Sequence, residues 1–264
     1  MLDLDGRYMV RIPRWRSGAH SLQREVRLLE YLARHVRTPV PRPWMVGALD
    51  EPAGWPFLVY PKLPGTPLND LTALGPDDKV RLADFLGRLF SELDHCPNGP
   101  LRKIGLLPGD PASCAERFER LRRRYRRLGR GRLPTALGAR VDQAICDVLS
   151  VLEESHYRPG LIHNDLWPSH ILWDDPPSRP TGVIDWEDAR LGDPAADLTA
   201  MEGLGAPLLL RIGERRRAAA DRLFWARVAL YRRILPLWGF LYGIEVKNRD
   251  IANRHLRQLS ATLS

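Results

Sequence analysis

The 264 residues are enough to bury a sizeable core as one large domain or two lobes, and 44% hydrophobic with 27% charged residues is an ordinary globular balance. The net charge of +8 rests on 36 arginines but only 4 lysines, a skew that looks more like a G+C-rich genome than selection for positive charge, so it argues only weakly for nucleic acid or membrane as a partner. Cys96, Cys114 and Cys146 are odd in number and form no C-x-x-C pair, which excludes an obvious cysteine metal site and points to reduced thiols in a cytosol.

Residues 7–12 read as a strand ended by Pro13. Leu22, Val26, Leu29 and Leu32/Ala33 then follow helical spacing from Ser21 to Val36. The run Thr38 to Pro43, with three prolines, stops that helix. Short strands are predicted at 44–48 and 56–60 around a turn at Asp50-Glu51-Pro52-Ala53-Gly54. Pro61-Lys62-Leu63-Pro64-Gly65 leaves little scope for regular structure and is the natural lobe boundary.

Residues 77–94 form an amphipathic pattern with Val80, Ala83, Leu86, Leu89, Phe90 and Leu93 on one face. A second such pattern, from Glu116 to Leu133, carries nine arginines between Arg117 and Arg132, with Phe118, Leu121, Tyr125 and Leu128 at helical spacing. Guanidinium runs are a footprint for phosphates. No aromatic platform interleaves with this one, and the apolar stripe explains it as a solvated helix, so no nucleic-acid partner is expected. A further helix is predicted over 139–154, and beyond Pro194 the chain reads as helices at 195–203, 206–212, 216–243 with a break near Pro236, and 248–262.

Met1 to Asp5 shows neither the basic nor the apolar region of a secretory signal. The run Ile234 to Ile244 is interrupted by Pro236 and is too short to cross about 30 Å of hydrocarbon as a helix. No membrane partner and a cytoplasmic location are expected.

Chemistry concentrates in His163-Asn164-Asp165-Leu166-Trp167-Pro168-Ser169-His170 and in Ile184-Asp185-Trp186. A short apolar run, Leu161-Ile162, delivers Asp165 into a loop, and an apparent hairpin from Ile171 to Ile184 delivers Asp185. Either aspartate alone reads as a turn cap. Together, with His163 and a polar residue at position 170, they have the spacing of a kinase catalytic loop and its metal-binding aspartate. One carboxylate takes the acceptor proton and the other holds magnesium, which demands oxygen ligands.

These segments, continued by Glu187-Asp188-Ala189-Arg190-Leu191-Gly192-Asp193-Pro194-Ala195-Ala196-Asp197-Leu198, resemble the core of the aminoglycoside phosphotransferase family, small-molecule kinases with a protein-kinase-like fold. His170 in place of the usual Asn, and Val10-Arg11-Ile12-Pro13-Arg14 in the first strand, make the macrolide 2′-phosphotransferase branch the most similar. The resemblance implies an α+β, two-lobed fold, with a nucleotide-binding lobe over 1–63 and a helical lobe with catalytic loop and acceptor pocket over 64–264.

It implies Asp165 as the catalytic base and Asp185 and His170 as metal-binding residues. Arg11 would reach the nucleotide phosphates and pair with Glu25, and Tyr60, Lys62 and Leu63 would form the hinge that reads the base. Imidazole is a poor magnesium ligand beside an amide oxygen, so contact with a phosphate or action through water stays open for His170. Asp193 and Asp197 match positions that look structural. Glu187 and Asp188 are open between the metal shell and a helix start.

The co-substrates implied are magnesium with ATP or GTP, and the partner is a small-molecule hydroxyl acceptor. Among C-terminal aromatics (Trp225, Tyr231, Trp238, Phe240, Tyr242) core packing is the commoner role. The few carboxylates of that region suit a macrolide better than a polycationic aminoglycoside. By the family's layout two strands and a glycine-rich loop are expected ahead of Arg11 and are not found there, which leaves two expectations open: a start assigned too late, or a catalytically impaired, kinase-shaped nucleotide-binding protein.

Overall fold

The structure, a computed structural model, describes residues 1–13, 16–50, 54–107, 109–216 and 221–264. Its contacts divide the chain into two compact units, the first made of residues 1–107, 160–191 and 200–217, the second of 108–159, 192–199 and 218–264.

The first unit is built on a four-stranded antiparallel sheet of β1 (Leu2–Leu4), β2 (Tyr8–Arg11), β3 (Met45–Leu49) and β4 (Trp55–Pro61), in the order β1-β2-β4-β3. Strand β1 was not foreseen from the sequence. It pairs with β2 (Leu2 opposite Val10, Leu4 opposite Tyr8) because Asp5 and Gly6 both take left-handed backbone, with φ of 53° and 67°, as a tight hairpin requires. Residue pairing places Met9, Arg11, Leu58 and Tyr60 on one face of the sheet, since Met9 is opposite Tyr60 and Arg11 opposite Leu58. Helix α1 (Arg16–His35) packs on β4, burying Leu22, Val26, Leu28, Leu29 and Leu32. It begins five residues before the predicted start. The predicted turn at 50–54 lies partly outside the described residues, which omit 51–53.

Pro61 closes β4, and the short β5 (Thr66–Pro67) pairs with Trp173 and Leu172. Gly65 between them has φ of 91°, and a Cβ there would meet Thr181 Oγ1 at 2.6 Å and the Trp173 carbonyl oxygen at 2.7 Å. Only glycine fits that crossing. Helix α2 (Pro76–Asp94) buries Leu82, Leu86, Leu89, Phe90 and Leu93. Its predicted apolar face is right except for Val80, which is exposed. Helix α3 (Asn98–Ile104), too short for a periodicity to show, was missed.

The second unit opens with α4 (Pro111–Leu128), capped by Asp110, whose carboxylate accepts the Ser113 N–H at 2.9 Å. The arginine-rich helix therefore starts and ends earlier than its sequence pattern suggested, and Arg130–Arg132 form a separate 3-10 turn. Helix α5 (Thr135–Glu153) follows.

Back in the first unit, the predicted strand–loop–hairpin is β6 (Gly160–Ile162), then β7 (Ile171–Asp174) and β8 (Arg179–Val183), with Ile171 opposite Val183. Strand β9 (Arg190–Gly192) pairs with β6. The helix predicted at 195–203 is instead two 3-10 turns, Pro194–Leu198 in the second unit and Glu202–Leu204 in the first, separated by residues 199–201, with Gly205 ending the second turn. Helix α6 (Ala206–Glu214) packs on α2.

The predicted helix at 216–243 begins at Phe224 as α7 (Phe224–Glu245), with residues 217–220 outside the description. The break expected at Pro236 is absent: the helix runs through a buried Pro236. An interior proline forfeits one backbone bond at a cost of about 3 kcal/mol, against which α7 is packed on α8 (Arg249–Thr262), α5 and α4. Within this unit Tyr231 and Phe240 are core residues as expected, Trp225 and Trp238 are half-buried, and Tyr242 is exposed.

Candidate active site

Two loops of the first unit carry the aspartates. After β6 the chain turns through Asn164 in left-handed backbone (φ 66°), and after β8 Asp185 itself takes φ of 67°. Asn and Asp are the side-chain-bearing residues that best tolerate this conformation. A non-glycine residue held there costs on the order of 1–3 kcal/mol, and such strain concentrates at functional sites.

The loops are tied to each other twice. The Ile184 N–H donates to the His170 carbonyl at 2.9 Å, and His163 Nε2 lies 2.9 Å from the Ile184 carbonyl. A carbonyl only accepts, so His163 carries its proton on Nε2. Its ring is wholly buried against Trp186, centroids 4.6 Å apart. The motif histidine thus fixes the distance between the two aspartate-bearing loops.

His170 links the aspartates. Its Nδ1 lies 2.6 Å from the Asp165 carbonyl oxygen and must donate to it, which leaves Nε2, in the neutral ring, with its lone pair 3.5 Å from Asp185 Oδ2. Nδ1 is also 3.7 Å from Asp165 Oδ2. The other Asp165 oxygen, Oδ1, accepts the indole N–H of Trp167 at 2.8 Å. Burial raises the Asp165 carboxyl above its ordinary value, against the opposing influence of His170 and the Trp167 hydrogen bond. A carboxylate made somewhat more basic while still ionisable suits proton abstraction.

Arg11 sits among three carboxylates. Nε is 3.0 Å from Glu25 Oε2, one terminal nitrogen is 3.3 Å from Asp185 Oδ1, and the other bonds Glu187. The Arg11–Glu25 pair implied by the resemblance is thus formed. Burial works against the charged guanidinium, but Glu25, Glu187 and Asp185 outweigh it and raise its pKa. Glu25 is pushed up to about 7, first by burial and then by Glu187 and Asp185, against the pull of Arg11. One positive charge contacts all three acids but cannot neutralise them all. Arg24 on α1 donates to the Glu187 carbonyl at 2.8 Å, so the segment after Asp185 is gripped by two arginines, Arg11 from β2 and Arg24 from α1.

Of the proposed hinge, Tyr60 is buried, its hydroxyl donating to Met1 Sδ at 3.2 Å and burial raising it to about 12. The Lys62 N–H is committed to the Arg7 carbonyl at 2.9 Å and its ammonium to Asp3 at 2.7 Å. Leu63 is half-buried beside Gly182, where an added Cβ would lie 3.0 Å from it.

No group of three or more His, Cys, Asp or Glu forms a metal cage among the described residues. Magnesium does not ask for one, since it usually takes one or two protein carboxylates and completes its shell with water and phosphate oxygens. The half-exposed Asp185, with Asp165 close by, fits that donor set. His170 Nε2 and Glu187 are further groups at hand, although an imidazole is the weaker partner for this ion.

Sequence reasoning missed Trp167 and Arg24 and left Glu187 undecided. The only signal for Trp167 was an indole two residues from Asp165, and Arg24 had none beyond its place next to Glu25. In the second unit the motif residue Asp193 accepts from Arg227 Nε at 2.6 Å and from the Tyr231 hydroxyl at 2.9 Å in a buried network. Asp197 is buried as well. Four arginines of α4 meet partners: Arg120 pairs with Glu116, Arg122 with Glu119, Arg124 with Glu245, and Arg117 lies over Trp238, while Arg123, Arg126 and Arg127 are exposed.

A family model described as the phosphotransferase enzyme family (APH) matches residues 2–237. Viomycin phosphotransferase of Streptomyces vinaceus is 30% identical over 167 residues, covering 62% of this chain. The matched stretch spans 54% of that relative's own length. Among solved structures, the GDP complex of aminoglycoside 2′-phosphotransferase-IIIa superposes with a TM-score of 0.86 at 24% identity, over 98% of this chain and 87% of that one. Macrolide 2′-phosphotransferase type I gives 0.71 at 21%, over 97% and 84%. At these identities the two structures establish the fold. No helix among the described residues is long and apolar enough to cross a membrane.

Proposed function

This chain belongs to the phosphotransferase enzyme family, and we propose on that premise that it transfers the γ-phosphate of ATP or GTP to a hydroxyl of a small antibiotic-like molecule in the cytoplasm. The observation that carries the reading is the imidazole of His170, with Nδ1 on the Asp165 carbonyl at 2.6 Å and Nε2 3.5 Å from Asp185. It supports a shared site for a base and a metal-binding carboxylate.

In this reading the acceptor hydroxyl gives its proton to Asp165 as its oxygen bonds to the γ-phosphorus. The bond from that phosphorus to the β,γ-bridging oxygen breaks, and the nucleoside diphosphate leaves with the electron pair. Bound magnesium would supply charge neutralisation of the phosphates. Asp185, with His170 beside it, would hold it. Arg11 would exchange part of its carboxylate contacts for nucleotide phosphate, with Glu25 retaining it in place. Tyr60, Lys62 and Leu63 would border the base, residues 1–63 forming the nucleotide-binding lobe and 64–264 the lobe of the catalytic loop and acceptor pocket.

For the acceptor, the carboxylate-poor C-terminal helices favour a largely apolar macrolide over a polycation, and the likeness to a viomycin phosphotransferase adds a basic peptide antibiotic to the set worth measuring. Turnover of ATP and of GTP with magnesium, measured against a macrolide, viomycin and kanamycin, tests the proposal. Acceptor-stimulated release of nucleoside diphosphate supports it. Nucleotide binding with no release in any combination would favour the catalytically impaired alternative.

A further inference from the structure

A general base must do more than sit near its proton. One carboxylate oxygen has to be held toward the acceptor hydroxyl, and an aspartate side chain can rotate away about two bonds. In this chain the second oxygen is anchored by a residue to which nothing so far assigns a role. Trp167 Nε1 donates to Asp165 Oδ1 at 2.8 Å. Indole N–H is a donor only, so the polarity of this bond is unambiguous, and a bond to an ionised acceptor is of the stronger, charge-assisted kind.

The backbone holds the indole in that place. The Trp167 N–H donates to the Asp165 carbonyl at 3.0 Å, and the same carbonyl accepts His170 Nδ1 at 2.6 Å. Trp167 precedes Pro168 and takes the extended conformation that a following proline favours, φ −93° and ψ 158°. The His170 N–H then returns to the Trp167 carbonyl at 2.9 Å. The loop from 165 to 170 is therefore a closed set of bonds that fixes where the main chain of Trp167 stands relative to Asp165, from which the indole reaches the carboxylate.

We propose that Trp167 is a positioning residue for Asp165: it pins one carboxylate oxygen so that the other is left for the acceptor hydroxyl. The inference rests on the phosphotransferase reading, and its test separates the two. The competing explanation is a half-exposed indole that packs on the loop for stability and bonds the aspartate incidentally.

The experiment compares wild type, Trp167→Phe, Trp167→His, Asp165→Asn and the double variant Asp165→Asn/Trp167→Phe, in magnesium with ATP or GTP and each of the three acceptors above, with water as the default acceptor. Trp167→Phe, which keeps an aromatic ring but no donor, is expected to lower kcat about tenfold or more while the nucleotide KM stays within about twofold. Trp167→His restores an N–H and is expected to recover part of that kcat. In the Asp165→Asn background the Phe substitution is expected to cost nothing further, because the group it positions is gone. Wild-type kcat in Trp167→Phe, or an equal loss in both backgrounds, would overturn the proposal and leave the phosphotransferase reading standing. If wild type consumes no nucleotide with any acceptor, that reading itself fails and takes this inference with it.

Discussion

His170 donates its Nδ1 proton to the backbone carbonyl of Asp165 at 2.6 Å, which turns the opposite ring nitrogen toward Asp185, 3.5 Å away. One side chain therefore sets the spacing between the residue proposed as base and the residue proposed to hold the metal. An asparagine at this position has an amide N–H for the carbonyl and an oxygen for a metal, whereas alanine has neither. His170→Asn is expected to retain more turnover than His170→Ala in magnesium-dependent nucleotide consumption. Equal rates would reduce His170 to a packing residue of the loop.

Asp185 is expected to act through nucleotide binding. A carboxylate that joins magnesium to the triphosphate contributes to the ground-state complex as well as to the transition state. Asp185→Ala should weaken magnesium–nucleotide affinity by calorimetry, with little change when magnesium is left out. Unchanged affinity in magnesium would remove the metal role from Asp185.

Glu25 predicts a pH dependence of stability. Burial, together with Glu187 and Asp185, raises its carboxyl from 4.5 to about 7 in the fold. A raised folded-state value means that the stability it contributes is fully present below the unfolded value and is lost as pH rises through about 7. Glu25→Gln cannot ionise, so its melting temperature should fall less than that of wild type between about pH 5 and about pH 8. Parallel curves for the two proteins would show that Glu25 is ionised throughout.

In the second unit Arg227 is wholly buried, with Asp193 at 2.6 Å, Asp221 at 2.8 Å and Ser155 at 3.1 Å. Removing one member of such a set leaves uncompensated buried charge, and Arg227→Ala should cost about 3–5 kcal/mol in urea unfolding. A loss under about 1 kcal/mol would mean that the network opens to water on its own.

Much of this was legible in the chain because the signal was local. The loop from His163 to His170 and the hairpin ending at Asp185 are contiguous, and their strands β6, β7 and β8 lie where the apolar runs placed them. Arg11 and Glu25 were joined by resemblance, and the structure brings them to 3.0 Å. What stayed hidden depends on tertiary contact. Strand β1 has only three residues, too few to show alternation, and exists by pairing with β2. The continuity of α7 through Pro236 goes with its packing on α8, α5 and α4, against propensity. Glu187 and Arg24 meet Arg11 and the loop after Asp185 across more than 160 positions of sequence, beyond any periodicity.

The central claim is tested most directly by following labelled γ-phosphate from ATP or GTP in magnesium, with wild type and Asp165→Ala side by side. The account predicts that wild type moves the label onto a hydroxyl of a macrolide, viomycin or kanamycin. Asp165→Ala should bind nucleotide nearly as well yet transfer label slower by on the order of 10²–10⁴. Transfer by Asp165→Ala at the wild-type rate, or no label on any acceptor with wild type, would contradict it.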